Sequence, residues 1–130
     1  MLRESLAPDS ACVAALFVPD QSREHERPGW NVQLLARAAA GASAAATSEK
    51  LAAPYVTYGR LMQPYWLRLE RRGDTFVADR SADGENWIPV GTTTVRLKKE
   101  ICIGLAACSR LKTVTTTVVF DRVTLPGWTP

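Results

Sequence analysis

Between Tyr65 and Gly91 the chain reads YWLRLERRGDTFVADRSADGENWIPVG, and apolar and polar residues alternate with period 2 around two turn signals, Gly73-Asp74 and Asp83-Gly84. Such alternation marks strands with one buried face, so three consecutive antiparallel strands are predicted here. A tight turn at Gly73-Asp74 sets Arg71 opposite Phe76, Leu69 opposite Ala78 and Leu67 opposite Arg80. The alternate set pairs Glu70 with Val77, Arg68 with Asp79 and Trp66 with Ser81. One face then collects Tyr65, Leu67, Leu69, Phe76 and Ala78, with Arg71 and Arg80 at its ends, and is the expected core. The other carries Trp66, Arg68, Glu70, Val77, Asp79 and Ser81 as a polar surface. A slip of one residue would reverse every assignment.

The remaining chain shows apolar, β-rich runs between turns. Leu2–Leu6 is a short predicted strand closed by Ala7-Pro8-Asp9-Ser10, a turn composition. Ala11–Val18 is almost continuously apolar, as for a strand covered on both faces. Pro19 to Gly29 is a polar loop, and Asn31–Ala39 alternates loosely. Residues 34–53 are Ala-rich and helix-compatible by propensity, but Gly41 and the Ser/Thr interruptions favour two extended strands. Pro54 to Pro64 is a connection. Further strands are expected at Thr93–Leu97, at Ile101–Cys108 and at the Thr/Val-rich Val114–Leu125. In Ile101–Cys108 both alternate sets are apolar or small, which predicts a central strand. Eight to ten strands and no helix give a single all-β domain over residues 1–130, an antiparallel two-sheet β-sandwich.

The order of MLRES (1–5), LLARAAAG (34–41), the 65–91 segment, ICIGLAACS (101–109) and VVFDRV (118–123) resembles the concanavalin A-like jelly-roll domains of the "regulation of enolase" type (DUF1349). The likeness spans nearly the whole chain, and WLRL…G-x-T-F…S-x-D-G-x-x-W is a long ordered pattern. It implies two antiparallel sheets, one concave, a surface that related domains use for glycans, and attachment to secreted bacterial enzymes in an extracellular or periplasmic setting. Domains of that family carry several strands before the segment matching MLRES. The sandwich is therefore expected to be N-terminally incomplete, or part of a larger parent. An unpaired edge invites pairing with a second chain, so a homo-oligomer through sheet edges is expected.

Size and charge narrow the field. A chain of 130 residues buries roughly two-thirds of the surface that its unfolded form exposes. The net charge of +3 arises from 16 basic and 13 acidic residues that are intermixed. The densest basic clusters, Arg71-Arg72 and Lys98-Lys99, are short and lie beside turns, unlike the stripe a nucleic-acid partner requires. No apolar run approaches the roughly 20 residues of a membrane span, and MLRESLAPDS lacks a signal peptide's apolar region. Cys102 and Cys108 lie on one strand face about 20 Å apart, too far to bond, and both are expected as small buried thiols. Cys12 pairing with either is left open, and so is the compartment.

No catalytic constellation stands out. His25, the single histidine, sits in the charged loop Arg23–Arg27, where nothing shields or orients a base. The paired carboxylates of a glycosidase, presented from one strand as Glu-x-Asp-x-x-Glu in jelly-roll glucanases, are missing. A hydrolase is the least favoured reading. No Cys/His cluster or calcium-loop spacing suggests a metal, and no cofactor is implied. Ser81–Trp87 resembles a sialidase-type Asp box shortened by one residue, in which an Asp side chain holds loop amides while the Trp packs. Arg72-Gly73-Asp74 spells the integrin tripeptide, but Gly-Asp is simply a good hairpin turn.

What remains is a binding surface. Sugar rings are met by an aromatic platform and planar hydrogen-bonding groups such as guanidinium. Trp66 and Arg68 share the polar face, and the family resemblance implies that Arg3 and Arg37 lie on the same sheet. Trp30, Tyr55 and Tyr58 stand in loops able to rim it. The expected ligand-binding set is thus Arg3, Arg37, Trp66 and Arg68, in a non-catalytic carbohydrate-binding or interaction module. Two alternatives stand beside it: an assembly domain that oligomerises through its edges, and arginines that merely pair with Glu4, Glu70 and Asp79 to hold the sheet.

Overall fold

The computed structural model describes residues 1–19, 30–50, 56–57, 60–61, 65–107, 113, 115 and 117–127. His25, Tyr55, Tyr58 and Cys108, and the loop around His25, lie outside the described residues. Among the described residues there are ten strands: β1 (Leu2–Arg3), β2 (Cys12–Pro19), β3 (Trp30–Arg37), β4 (Ala45–Lys50), β5 (Val56–Thr57), β6 (Arg60–Leu61), β7 (Trp66–Arg72), β8 (Thr75–Ser81), β9 (Ile88–Thr94) and β10 (Cys102–Ile103). They form a five-stranded antiparallel sheet in the order β10-β1-β2-β3-β4, a three-stranded antiparallel sheet β7-β8-β9, and the small hairpin β5-β6. The two larger sheets pack face to face, β2 on β7 and β8, and β3 and β4 on β9. The fold is an all-β sandwich.

Alternation places the core. Leu2, Val13, Val32 and Leu34 from the larger sheet meet Phe76, Ala78 and Val90 from the smaller one, with Ala11, Val95 and Leu97 sealing the ends. Phe17 and Tyr65 close one flank edge to face, with centroids 5.4 Å apart and an 85° interplanar angle, a favoured aromatic geometry. Gly91 lets the sheets approach. A Cβ there would lie 3.2 Å from Thr47 Cγ2, tighter than ordinary contact.

The β7–β8 register is the predicted one at every position, from Trp66 opposite Ser81 to Arg71 opposite Phe76. Gly73, at φ 61°, supplies the left-handed residue that the hairpin turn needs. Arg71 caps the core face. Its guanidinium donates to the carbonyls of Gly73, Leu97 and Lys98 at 2.7–2.9 Å and lies 5.5 Å from the Phe76 ring centroid. Residues 34–53 are extended where described, as β3, a turn at 39–41 and β4, so the helical alternative falls away.

Several expectations are corrected. The first strand is only Leu2–Arg3, because the chain turns at once into a loop whose Ser5 N–H bonds the Ser10 hydroxyl. Of the strand expected at Thr93–Leu97 only Thr93 and Thr94 are extended in a strand, as the end of β9, and 95–97 lie outside any strand; a register shift at Ala78/Asp79 leaves Val90 between the paired Pro89 and Gly91. Ile101–Cys108 is not a central strand. Among its described residues only Cys102–Ile103 form a strand, paired with β1 at the end of the sheet order, and Cys102 is an exposed free thiol while Cys12 is buried. Small apolar residues on both faces look alike in a covered strand and a bare edge. Among the described residues of 113–127 there is no strand, and Val118, Val119, Phe120 and Val123 stand exposed. No helix of the described residues is long and apolar enough to cross a membrane.

Candidate functional site

The outer face of the three-stranded sheet is not the bare polar surface that alternation suggests. Asp79 and Ser81 point away from the core, yet are 6% and 0% exposed. What buries them is local. Residues 81–87 fold back over this face, held by reciprocal side-chain bonds. The Ser81 hydroxyl accepts from the amides of Asp83 and Gly84 and donates to Asp83 Oδ1 at 2.8 Å. Asp83 Oδ1 also accepts from the amides of Glu85 and Asn86 at 2.8 Å, and its Oδ2 from the Asn86 side chain at 2.7 Å. This is the Asp-box-like arrangement expected from the sequence. The bonds from Asn86, then from the Glu85 amide and Ser81, hold the Asp83 carboxyl far below the usual carboxylate range.

Two tryptophans tie that loop to the sheet. Gly84, at φ 83°, lies against the Trp66 indole so closely that a Cβ would sit 2.9 Å from Trp66 Cε2. Trp87 takes the guanidinium of Arg68, whose Cζ is 4.3 Å from the ring centroid, a cation–π contact. Arg68 Nε donates to Asp79 at 3.0 Å, with the carboxylate side almost fully buried. Asp79 is thus satisfied by its cross-strand partner. Arg68 is held by two neighbours and serves chiefly to anchor Trp87.

Beside Trp66 the surface opens into a cleft of about 350 Å³ lined by Tyr65, Trp66, Ala82, Asp83, Val119, Asp121 and Arg122. That volume falls at the lower end of the roughly 300–1,000 Å³ of small-molecule sites. The Arg122 guanidinium lies 5.4 Å from the Trp66 ring centroid. Arg122 is held at φ 50°, and its amide donates to Asp121 Oδ1 at 2.7 Å. Val119, Asp121 and Arg122 escaped the sequence reading. They lie in VVFDRV, read only as a strand, and no local spacing links them to a residue more than fifty positions earlier.

The four sequence-predicted site residues are not brought together. Trp66 and Arg68 lie on β7. Arg3 and Arg37 belong to β1 and β3 of the other sheet, which corrects the expectation that all four share one. In the five-stranded sheet Arg3 and Arg37 both stand opposite Cys12, on the face that points away from the core, so they occupy the far side of the sandwich from Trp66. Arg3 donates to the Ala7 carbonyl and Arg37 to the Pro8 carbonyl at 2.9 Å. The Nε atoms of both are buried without a hydrogen-bond partner. Their work is to hold the 4–11 loop onto the sheet. The anticipated carboxylate pairing holds for Arg68 with Asp79, whereas Glu70 bonds Arg72 and Glu4 accepts from the Lys98 amide. Trp30 is the first residue of β3. Among the described residues no group of three or more His, Cys, Asp and Glu side chains is placed to hold a metal.

Neither a family model, nor a curated protein, nor a solved structure matches this chain.

Proposed function

We propose that this protein is a non-catalytic binding module that recognises a saccharide in the cleft beside Trp66. The observation that carries the reading is the lining of that cleft. Two aromatic rings, Tyr65 and Trp66, supply amphipathic surface, and Arg122 and Asp121 supply planar donors and acceptors at its rim. Aromatic surface with a few convergent polar groups is the composition that small polar-ring ligands require. The resemblance of the chain to concanavalin A-like domains supports the same class of ligand.

Chemistry at the cleft favours binding over hydrolysis. A glycosidase needs one carboxyl poised to give up a proton near neutral pH. Asp83 is held firmly ionised by its loop bonds, so it has no proton to offer. Asp121 accepts from the next residue's amide. Arg68, expected to touch the ligand, is not among the residues lining this cleft, and its guanidinium is engaged by Asp79 and Trp87.

Saturation-transfer NMR with defined mono- and disaccharides tests this. The wild type should show transfer to at least one sugar, and Trp66→Leu, checked for folding by circular dichroism, should lose it. No transfer to any sugar, or transfer undiminished in the folded variant, would reject the site.

A further inference from the structure

The Trp66 cleft is lined by three charged residues, Asp83, Asp121 and Arg122, and they differ in how far their side chains are already engaged. Asp83 accepts from the Ser81 hydroxyl and the Glu85 and Asn86 amides at Oδ1, and from the Asn86 side chain at Oδ2. Asp121 gives Oδ1 to the Arg122 amide. The Arg122 guanidinium makes no hydrogen bond or ion pair among the described residues, and its Cζ lies 5.4 Å from the Trp66 ring centroid. Each of the other described arginine side chains is engaged. Three donate to backbone carbonyls and two to carboxylates, Arg80 donates to the Tyr65 hydroxyl, and Arg96 lies 3.9 Å from Asp74.

The backbone holds this unengaged group in place. Among the described residues Arg122 is the one non-glycine at positive φ, 50°, a conformation disfavoured for any residue with a Cβ and kept only where the surroundings impose it. Here the Asp121 carboxylate on its amide and the indole beside its guanidinium do so. A guanidinium carries five N–H donors in a fixed plane, and they match the oxygens of a carboxylate or a sulfate two at a time. None of the five is taken by a protein oxygen of the described residues.

We infer that the saccharide bound beside Trp66 is an acidic one, whose carboxylate or sulfate group is taken by the Arg122 guanidinium while the sugar ring lies against the aromatic wall. This rests on the saccharide reading of the cleft and narrows it from sugars in general to anionic sugars. Of the two neighbouring carboxylates, Asp83 already has its charge met by four loop donors. Asp121 is left to accept from the hydroxyls of the ring. Arg122 is then the residue that sets the charge preference of the cleft.

Saturation-transfer titrations of wild type and Arg122→Gln with methyl glucoside, methyl glucuronide and a sulfated glucose test it. The wild type should hold at least one of the two anionic sugars roughly tenfold tighter than the neutral glucoside, and the tighter of the two identifies the group recognised. Arg122→Gln, a change at an exposed residue that keeps a planar donor and removes the charge, should erase that preference. Added salt should weaken the anionic sugar and leave the glucoside unaffected, a readout that needs no variant. Equal binding of all three sugars by the wild type, or a preference that survives Arg122→Gln, would overturn the inference and leave the saccharide reading standing. Binding of none of them would remove both.

Discussion

The two outer faces of this sandwich both present arginines, yet only one of them carries a packed loop and an aromatic-walled cleft above the sheet. On the three-stranded sheet, Arg68 is clamped between Asp79 and Trp87, the 81–87 loop packs on Trp66, and a cleft with two aromatic walls opens beside it. On the five-stranded sheet, Arg3 and Arg37 spend their guanidiniums on the Ala7 and Pro8 carbonyls. Among the described residues the strand positions paired with them are Cys12 and Cys102, not aromatic residues. An arginine on a sheet face is thus not evidence of recognition by itself. The layer above the sheet decides, and here a seven-residue loop closed by one aspartate provides it.

Perturbing that layer should have the largest effect. Gly84→Ala adds a Cβ to a residue at φ 83° and drives it into the Trp66 ring. A loss of roughly 2–4 kcal/mol is expected, measured by chemical denaturation. Gly41→Ala, at φ 74° with nothing within 4 Å, should cost only about 1 kcal/mol. Equal losses at the two glycines would show that the loop does not rest on Trp66.

Asp79→Ala comes next. It removes the buried partner of Arg68 and should destabilise by about 1–3 kcal/mol. It should also free the Trp87 ring, seen as a change in tryptophan emission that Glu70→Ala, at an exposed pair, does not produce.

The loop is also acid-labile in a definite direction. Because the Asp83 carboxyl titrates lower in the folded protein than its ordinary value of 3.8, its contribution is fully present above that value. It is lost as pH falls below it. Asp83→Asn should flatten the acid limb of the stability curve relative to wild type, and an unchanged limb would remove Asp83 from its assigned role.

The smallest effect is expected on the other face. Arg3→Ala and Arg37→Ala each lose a hydrogen bond to a loop carbonyl and should cost about 1 kcal/mol. Amide exchange should quicken in the 4–11 loop and stay unchanged in 81–87.

How far the sequence reached differs between these same regions. The β7–β8 hairpin was legible to the residue, since strict alternation flanked by Gly73-Asp74 permits a single register. The Asp-box-like loop was legible too, because its bonds are local. Arg3 and Arg37 were misplaced because the sheet to which a strand belongs is set by long-range pairing, which alternation does not encode. Ile101–Cys108 reads as a central strand because Ile101, Ile103 and Leu105 look the same in sequence whether or not a neighbour covers them. Asp121 and Arg122 reach Trp66 only through the return of a distant segment, and nothing in VVFDRV advertises it.

Glycan-array binding by wild type, Arg122→Ala and the Arg3→Ala/Arg37→Ala double variant tests the central claim most directly. The wild type and the double variant should retain the same saccharide with similar affinity, while Arg122→Ala, a change at an exposed residue, should weaken it by roughly tenfold. A wild type that retains no glycan, or an Arg122→Ala protein that binds as the wild type does while the double variant fails, would contradict the account.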